Sequence, residues 1–124
     1  MAWTIANAIN KAGLDGITAA FNGGSVDLSS SAPAVLANVG LNATAFGGGT
    51  TAAPSVASAN ATTPDTSITA GTIVAIAFKN SGGTTLINGS VGVGSGDFQV
   101  ADNVIPGSAT SVDIAGLQFT LLVS

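Results

Sequence analysis

From Ser25 onward the sequence consists of short stretches of β-branched and apolar residues separated by turn-forming residues. This pattern is typical of small all-β sandwiches and barrels. The 124 residues are near the common size of one domain, and neither a charge run nor a Pro-rich linker divides them. We therefore predict a single, mainly β domain over residues 1–124, with one N-terminal helix and turn in residues 1–24. Residues 25–124 are expected to form an antiparallel β-sandwich or jelly roll.

The segment from Trp3 to Phe21 has the spacing of one amphipathic helix that ends at Gly23-Gly24. The apolar residues that recur at helical intervals are Ile5, Ile9, Ala12, Gly16 or Ile17, and Phe21. A glycine inside a helix costs about 1 kcal/mol relative to alanine. Gly13 and Gly16 therefore indicate either a bend or a close approach to a neighbouring element.

The second half of the chain carries the clearest strand signals. Stretches at 72–80 and 84–93 flank Asn80-Ser81-Gly82-Gly83, which predicts a β-hairpin. Two further strands are expected at 97–101 and 111–123, with Pro106-Gly107 as the turn between them. The alternation of the last strand indicates a change of register near Gly116.

The first half is less regular. Ser25 to Ser29 and Val35 to Leu41 are candidate strands, while residues 50–61 fit either a strand or an extended arm. Residues 47–58 are mostly small and polar, so their apolar content offsets little of the entropy lost on ordering. We expect this extended arm, near residues 47–58, either to remain mobile or to lie against a partner chain.

The side chains that most often perform chemistry are missing from this sequence. It contains no His, Cys, Arg, Glu or Tyr, with two Lys and six Asp, so Asp, Lys, Ser and Thr would have to carry any reaction. We expect no enzymatic activity, no cofactor and no metal site. Asp97, Asp102 and Asp113 could together hold a Ca²⁺ ion, but they lack the spacing of a calcium loop. The glycine-rich stretch 92–97 lacks the helix and the Lys that a nucleotide site requires.

Charge composition limits the partners of the chain. Only 6% of the residues are charged, against roughly 25% in ordinary domains, so we expect much of the surface to be covered in an assembly. The isolated Lys11 and Lys79 and the net charge of −4 argue against nucleic acid as a ligand. The longest apolar run, Ile73 to Phe78, is too short to span a membrane. The N-terminal residues carry no export pattern, so we expect an unexported protein.

Two stretches are candidate contact surfaces. Trp3, Ile5 and Ile9 on the predicted helix can either pack in the core or anchor a partner. Thr50, Thr51 and Val56 belong to the small-residue stretch that an assembly would order. Four phenylalanines lie within strand-like apolar patterns and are expected in the core rather than on a binding platform: Phe46, Phe78, Phe98 and Phe119.

The most specific part of the sequence runs from Ala70 to Leu121. It combines a strand ending in Ser-Gly-Gly-Thr, the block LINGSVGVGSGDF, a Pro-Gly turn and a last strand closing on Phe119-Thr120. Over almost the whole chain this order resembles a family of small tailed-bacteriophage structural proteins. The resemblance implies a capsid cement or decoration subunit, made in the bacterial cytoplasm and carried on the capsid surface of the virion. Its implied partners are the major capsid protein and copies of itself; dimers and trimers at symmetry axes of the shell are both compatible with the sequence.

Two other functions are compatible with the sequence. A tail, fibre or baseplate component could bind a receptor or glycan, but it would need exposed aromatic rings, and the chain has one Trp and no Tyr. A polysaccharide hydrolase would need paired carboxylates at a defined separation, for which Asp is the one residue type available. The composition and the resemblance agree on a subunit that gains stability from many symmetric neighbours, and the resemblance implies that this subunit is a cement or decoration protein.

Overall fold

The computed structural model describes residues 7–52, 54–114 and 116–121, which form one helix and nine strands. The expected fold class, mainly β with antiparallel sheets and one helix, is confirmed. The predicted strand Ser25 to Ser29 is observed with those bounds, whereas Trp3 lies outside the described residues. The elements are α1 (Asn7–Ala19), β1 (Ser25–Ser29), β2 (Val35–Gly40), β3 (Ser55–Ser58), β4 (Gly71–Thr72), β5 (Ala75–Lys79), β6 (Thr85–Gly92), β7 (Phe98–Gln99), β8 (Val104–Ile105) and β9 (Gln118–Leu121).

The strands form one larger sheet and two small ones. The larger sheet has the strand order β2-β1-β5-β6-β7, and the pairs β3-β9 and β4-β8 form the others among the described residues. β7 runs parallel to β6, while the remaining pairs are antiparallel. The core contains residues from α1, from the larger sheet and from both small pairs, so the layers pack as a sandwich around it.

The central strand β1 is buried on both of its faces. Val26 and Leu28 point into the core, at 0% and 6% exposure. Asp27 points the other way and is nevertheless 7% exposed. It forms an ion pair with Lys79 of β5 at 2.6 Å and accepts a hydrogen bond from Asn38 of β2. The buried carboxylate is thus stabilised from both neighbouring strands, which a buried charge requires.

The predicted hairpin is present between β5 and β6. Asn80 N donates to Thr84 O at 3.0 Å, and the Asn80 side-chain oxygen accepts from Gly82 N and Thr84 N at 3.0 Å each. Gly83 has a φ of 82°, a conformation that favours glycine. The residues Asn80-Ser81-Gly82-Gly83, from which the turn is predicted, therefore form it.

Three of the predicted strands are shorter in the structure than in the prediction. The strand expected at 72–80 is divided at Ile73-Val74, because Ile73 N donates to Asn103 O at 2.7 Å and Val74 N donates to Ser29 O at 2.9 Å. Strand structure within 97–101 covers only β7. Within 111–121 it covers β9 and a bridge from Val112 to Asp65. Gly116, with a φ of 69°, separates those two parts where the register change was expected.

The parallel pairing of β6 and β7 depends on a tight glycine-rich connection. Parallel strands usually need a crossover of a dozen or more residues, yet five residues join these two. A Cβ on Gly92 would lie 2.6 Å from Ser95 O, and Gly94 and Gly96 have φ values of 72° and 92°. Asp97 then accepts from Ser90 N at 2.9 Å. The stretch that superficially resembles a phosphate loop thus forms a tight connection, which the Asp97 carboxylate fastens to the backbone of Ser90.

All five phenylalanines of the chain meet in the core. Phe21 contacts the rings of Phe46, Phe78 and Phe119 at centroid distances of 6.3, 5.8 and 5.5 Å, and Phe78 contacts Phe98 at 5.2 Å. The prediction that Phe46, Phe78, Phe98 and Phe119 belong to the core is confirmed. Such ring pairs add about 0.5–1.5 kcal/mol each beyond burial.

The contact between Gly24 and β5 gives a stability test. A Cβ on Gly24 would lie 1.9 Å from Lys79 O, a backbone atom that cannot rotate away. We expect Gly24→Ala to lower the free energy of unfolding by about 3 kcal/mol, as overpacking does. Urea denaturation measures this change.

Gly107→Ala is the matched control for this test, because no heavy atom lies within 4 Å of its Cβ position. Its unfolding free energy should stay within about 1 kcal/mol of the wild-type value. Equal losses in the two variants would contradict the close contact at Gly24.

Candidate interaction surface

The helix α1 turns its polar side toward the body of the protein. Asn10 and Thr18 are 2% and 4% exposed, on the same side as Leu14 at 1%. Asn10 Nδ2 donates to Ala52 O at 2.9 Å, and Gly49 N donates to Asp15 Oδ1 at 2.6 Å. Asn10 and Asp15 are therefore hydrogen-bonded to the backbone of the neighbouring segment 47–52, whereas the Thr18 hydroxyl donates to Asp15 O within the helix.

The opposite side of α1 is apolar and exposed. Ile9 is 63% exposed, and a Cβ on Gly16 would meet no heavy atom within 4 Å outside the backbone of its own helix. Ile17, three residues after Leu14, lies at the edge of this side and is 42% exposed. Apart from Asn7, every described residue of α1 that is exposed is Ala, Gly or Ile. We call this surface the outer face of α1; it consists of Ala8, Ile9, Ala12, Gly13, Gly16, Ile17 and Ala19.

This orientation reverses the usual arrangement of an amphipathic helix at a protein surface. The sequence predicts one apolar face that includes Ile9, Ala12, Gly16 or Ile17, and Phe21. In the structure Phe21 is buried at 1% exposure, whereas Ile9 and Ile17 are on the outside. The separation of Ile9 from Phe21 follows from helical geometry, because Phe21, Leu14 and Asn10 fall on one line and Ile9 and Gly16 on another. Ile17 lies next to the buried line and is exposed at its edge.

The segment from Gly47 to Ser58 is bonded to its own chain. Gly47 N donates to Ser58 O at 2.9 Å, and Thr50 N donates to Val56 O at 3.0 Å. Its end forms β3, which pairs with β9. The segment is therefore a closed loop followed by a strand, and it lies against α1 instead of extending from the body.

Three of the sequence-based interface candidates lie on the segment that bonds to α1. Thr50 and Thr51 are exposed on the loop that bonds to α1, and Val56 is half-buried. Val56 N donates to the Thr50 hydroxyl at 3.0 Å, so these two residues also fix the shape of the loop. Trp3 and Ile5 lie outside the described residues. The sequence pattern does not identify Ala12 and Gly16 as surface residues. They follow Ile9 by three and seven positions, and this helical spacing places them on the same face as Ile9.

Asp15 is the charged group that joins α1 to the loop. Lys11 Nζ lies 2.5 Å from Asp15 Oδ2. The hydrogen bond from Lys11, and after it the bond from Gly49 N, lower the pKa of Asp15 below the ordinary value of 3.8. At neutral pH this carboxylate is ionised, and its charge is directed at the loop and away from the outer face of α1.

A cavity of about 720 Å³, open to the outside, lies between the larger sheet and residues from the last third of the chain. Its walls are mostly apolar and include Leu28, Ile76 and Phe98, with Asp102 and Asp113 also in the lining. Asp102 accepts from Val104 N at 3.0 Å, and Asp113 accepts from Ile114 N at 2.8 Å and from the Thr62 hydroxyl.

The candidate calcium ligands do not converge. Asp97 bonds to Ser90, while Asp102 and Asp113 bond to the backbone next to them. Among the described residues, which include all six Asp, no three carboxylates gather into a group that could hold a metal ion.

No protein-family model matches the sequence, and neither the comparison with curated proteins nor that with solved structures gave a match. Within the ranges that the structure covers, no helix has both the length and the hydropathy to cross a bilayer.

The lowered pKa of Asp15 predicts how acid affects stability. A carboxylate with a depressed pKa contributes stability that is present above its unfolded value, near 3.8, and is lost as the pH falls through the folded value. We expect the urea midpoint of the wild-type protein to fall between pH 6 and pH 2.5, and to fall less in Asp15→Asn.

Gly107→Ala leaves this carboxylate intact and should keep the wild-type pH dependence. If the urea midpoint of Asp15→Asn falls on acidification as much as that of the wild type does, ionised Asp15 does not stabilise the attachment of the loop.

Proposed function

We propose that this chain is a non-enzymatic structural subunit of a tailed-bacteriophage particle, which cements or decorates the capsid by binding across seams between major capsid proteins. The observation that carries the proposal is the outer face of α1, where Ile9 and Ile17 are exposed and the polar side chains face inward. An apolar helix face directed outward is expected of a subunit whose surface is covered by neighbours.

The charge of the chain supports the same proposal. Eight charged residues in 124 leave most of the surface uncharged, and two of them, Asp27 and Lys79, pair with each other inside the larger sheet. Contacts made by such a surface are apolar or backbone-mediated, and salt weakens them little. A cement subunit must hold a shell together under changing ionic conditions, so this chemistry suits the task.

The core placement of the phenylalanines favours cementing over glycan binding. Sugar recognition uses exposed aromatic faces, whereas Phe21, Phe46 and Phe78 are at most 5% exposed and their rings contact one another. The surface that we assign to assembly is the outer face of α1 together with loop 47–52, including Ile9, Thr50 and Thr51. Trp3 and Ile5, which precede the described residues, remain candidates from the sequence.

Cryo-electron microscopy of the parent particle tests the location. We expect copies arrayed with icosahedral symmetry over the seams of the shell, and we expect these copies to be retained when the salt is raised from about 0.1 M to about 1 M, because their contacts are not screened. Release of the copies by salt, or a few copies confined to the tail, would contradict the proposal, and the second result would favour the fibre or baseplate function.

A charge on the outer face of α1 should prevent incorporation. We expect the variant Ile9→Asp/Ile17→Asp to reduce the copies per particle by about tenfold or more, because an unpaired carboxylate would be buried in the contact. Both side chains are exposed, so the variant should keep the wild-type circular dichroism spectrum.

Val35→Asp is the matched control, since Val35 is 53% exposed on the edge strand β2 and not on α1. Its copy number should equal that of the wild type. Normal incorporation of the α1 variant would show that this face is not the assembly surface.

A further inference from the structure

The outer face of α1 carries a projecting side chain near one end and a glycine without a side chain near the other. Ile9 projects near the N-terminal end at 63% exposure. Gly16 leaves a notch two turns later, where a Cβ would meet no heavy atom within 4 Å outside the backbone of its own helix. Seven residues span nearly two full turns, so the isoleucine and the notch lie almost on one line along the helix.

We propose that the occupant of this face is the α1 helix of a second copy of the chain, packed antiparallel about a two-fold axis that passes between Ala12 and Gly13. In that register Ile9 of each copy lies at the height of Gly16 of the other. Ile9 of the first copy packs into the notch at Gly16 of the second, and Ile9 of the second packs into the notch of the first. A two-fold interface requires this reciprocity.

Charge favours a second copy over a membrane surface. The outer face of α1 carries no charged residue among those described, and Lys11 pairs with Asp15 on the side toward loop 47–52. An anionic bilayer would be repelled by the net charge of −4 and would find no cation on this face. The same uncharged face on another copy matches it without leaving any charge unpaired.

The size of the face sets the strength of the pairing. A 13-residue helix is about 20 Å long, so one face covers only a few hundred Å², well below the ~800 Å² per partner of a standard interface. We therefore expect weak, concentration-dependent pairing in solution. The pairing would persist where copies are held side by side on a common surface, because tethering raises their effective concentration.

Disulfide capture of the purified chain tests this geometry. The sequence contains no cysteine, so one introduced thiol reports one position. Ala12→Cys should form a disulfide-linked dimer, since the two equivalent residues lie next to the axis. Ala19→Cys lies on the same side of the helix, but its counterpart would be about 20 Å away. We expect Ala12→Cys to dimerise at least about tenfold faster, because a disulfide needs Cα atoms within roughly 7 Å.

A second pair of variants tests the notch. In the Ala12→Cys background, Gly16→Leu fills the space that Ile9 of the partner would occupy and should slow dimer formation by about tenfold. Gly107→Leu adds the same side chain where no heavy atom lies within 4 Å, and it should leave the rate unchanged. Circular dichroism confirms that each variant is folded.

The outcomes separate the occupants. Equal capture at Ala12→Cys and Ala19→Cys would mean parallel helices and would overturn the proposal. Capture at neither position, above the rate of an exposed Val35→Cys control, would also overturn it and leave a shell protein as the occupant. The inference deepens the proposed function by naming the partner at α1. Since it is tested on the purified chain, it can fail while the copies on the particle remain as proposed.

Discussion

The packing of Phe21 determines how the rest of the molecule is arranged. Its ring stacks on Phe119 of β9 at 5.5 Å with an interplanar angle of 8°, and contacts Phe78 of the larger sheet at 5.8 Å. The cluster therefore joins the turn that follows α1 to both layers of the sandwich. Because Leu14 lies two turns earlier on the same line of the helix, burying both residues fixes the rotation of α1. The outward position of Ile9 follows from that rotation, and Ile17, three residues after Leu14, is left at the edge of the buried side.

The rotation directs Asn10 and Asp15 toward the body, and the glycine-rich loop makes this arrangement stable. Burying polar groups without partners would cost a few kcal/mol. Here Ala52 O and Gly49 N supply the partners. A Cβ on Gly49 would lie 2.8 Å from Ser55 Oγ and 3.2 Å from Leu14 Cδ2, so the backbone can come this near to the helix only without a side chain. The small residues that suggest an extended arm are thus the ones that let the loop close.

Local patterns predicted the elements that local interactions determine. The strand β1 and the β5-β6 hairpin follow from alternation and from the turn Asn80-Ser81-Gly82-Gly83, whose hydrogen bonds are made within a few residues. The break at Ile73-Val74 depends on Asn103 and Ser29, each about 30 or more positions away, and no local pattern contains that information. The candidate surface, likewise, could be predicted from the sequence only in part. Residue type singled out Ile9, Thr50 and Thr51, whereas the side on which Ala12 and Gly16 lie depends on the packing of Phe21.

A surface of this kind produces contacts that are weak individually and strict in geometry. Ala12, Gly13 and Gly16 let another backbone approach closely, and dispersion forces act only at that short range. No charge on the outer face of α1 attracts partners from a distance, so association gains little from electrostatic steering. Binding then depends on shape and on how many copies are held together. Such dependence favours repeated, symmetric assembly over capture of a single ligand, because each added neighbour contributes another small contact without a new desolvated charge.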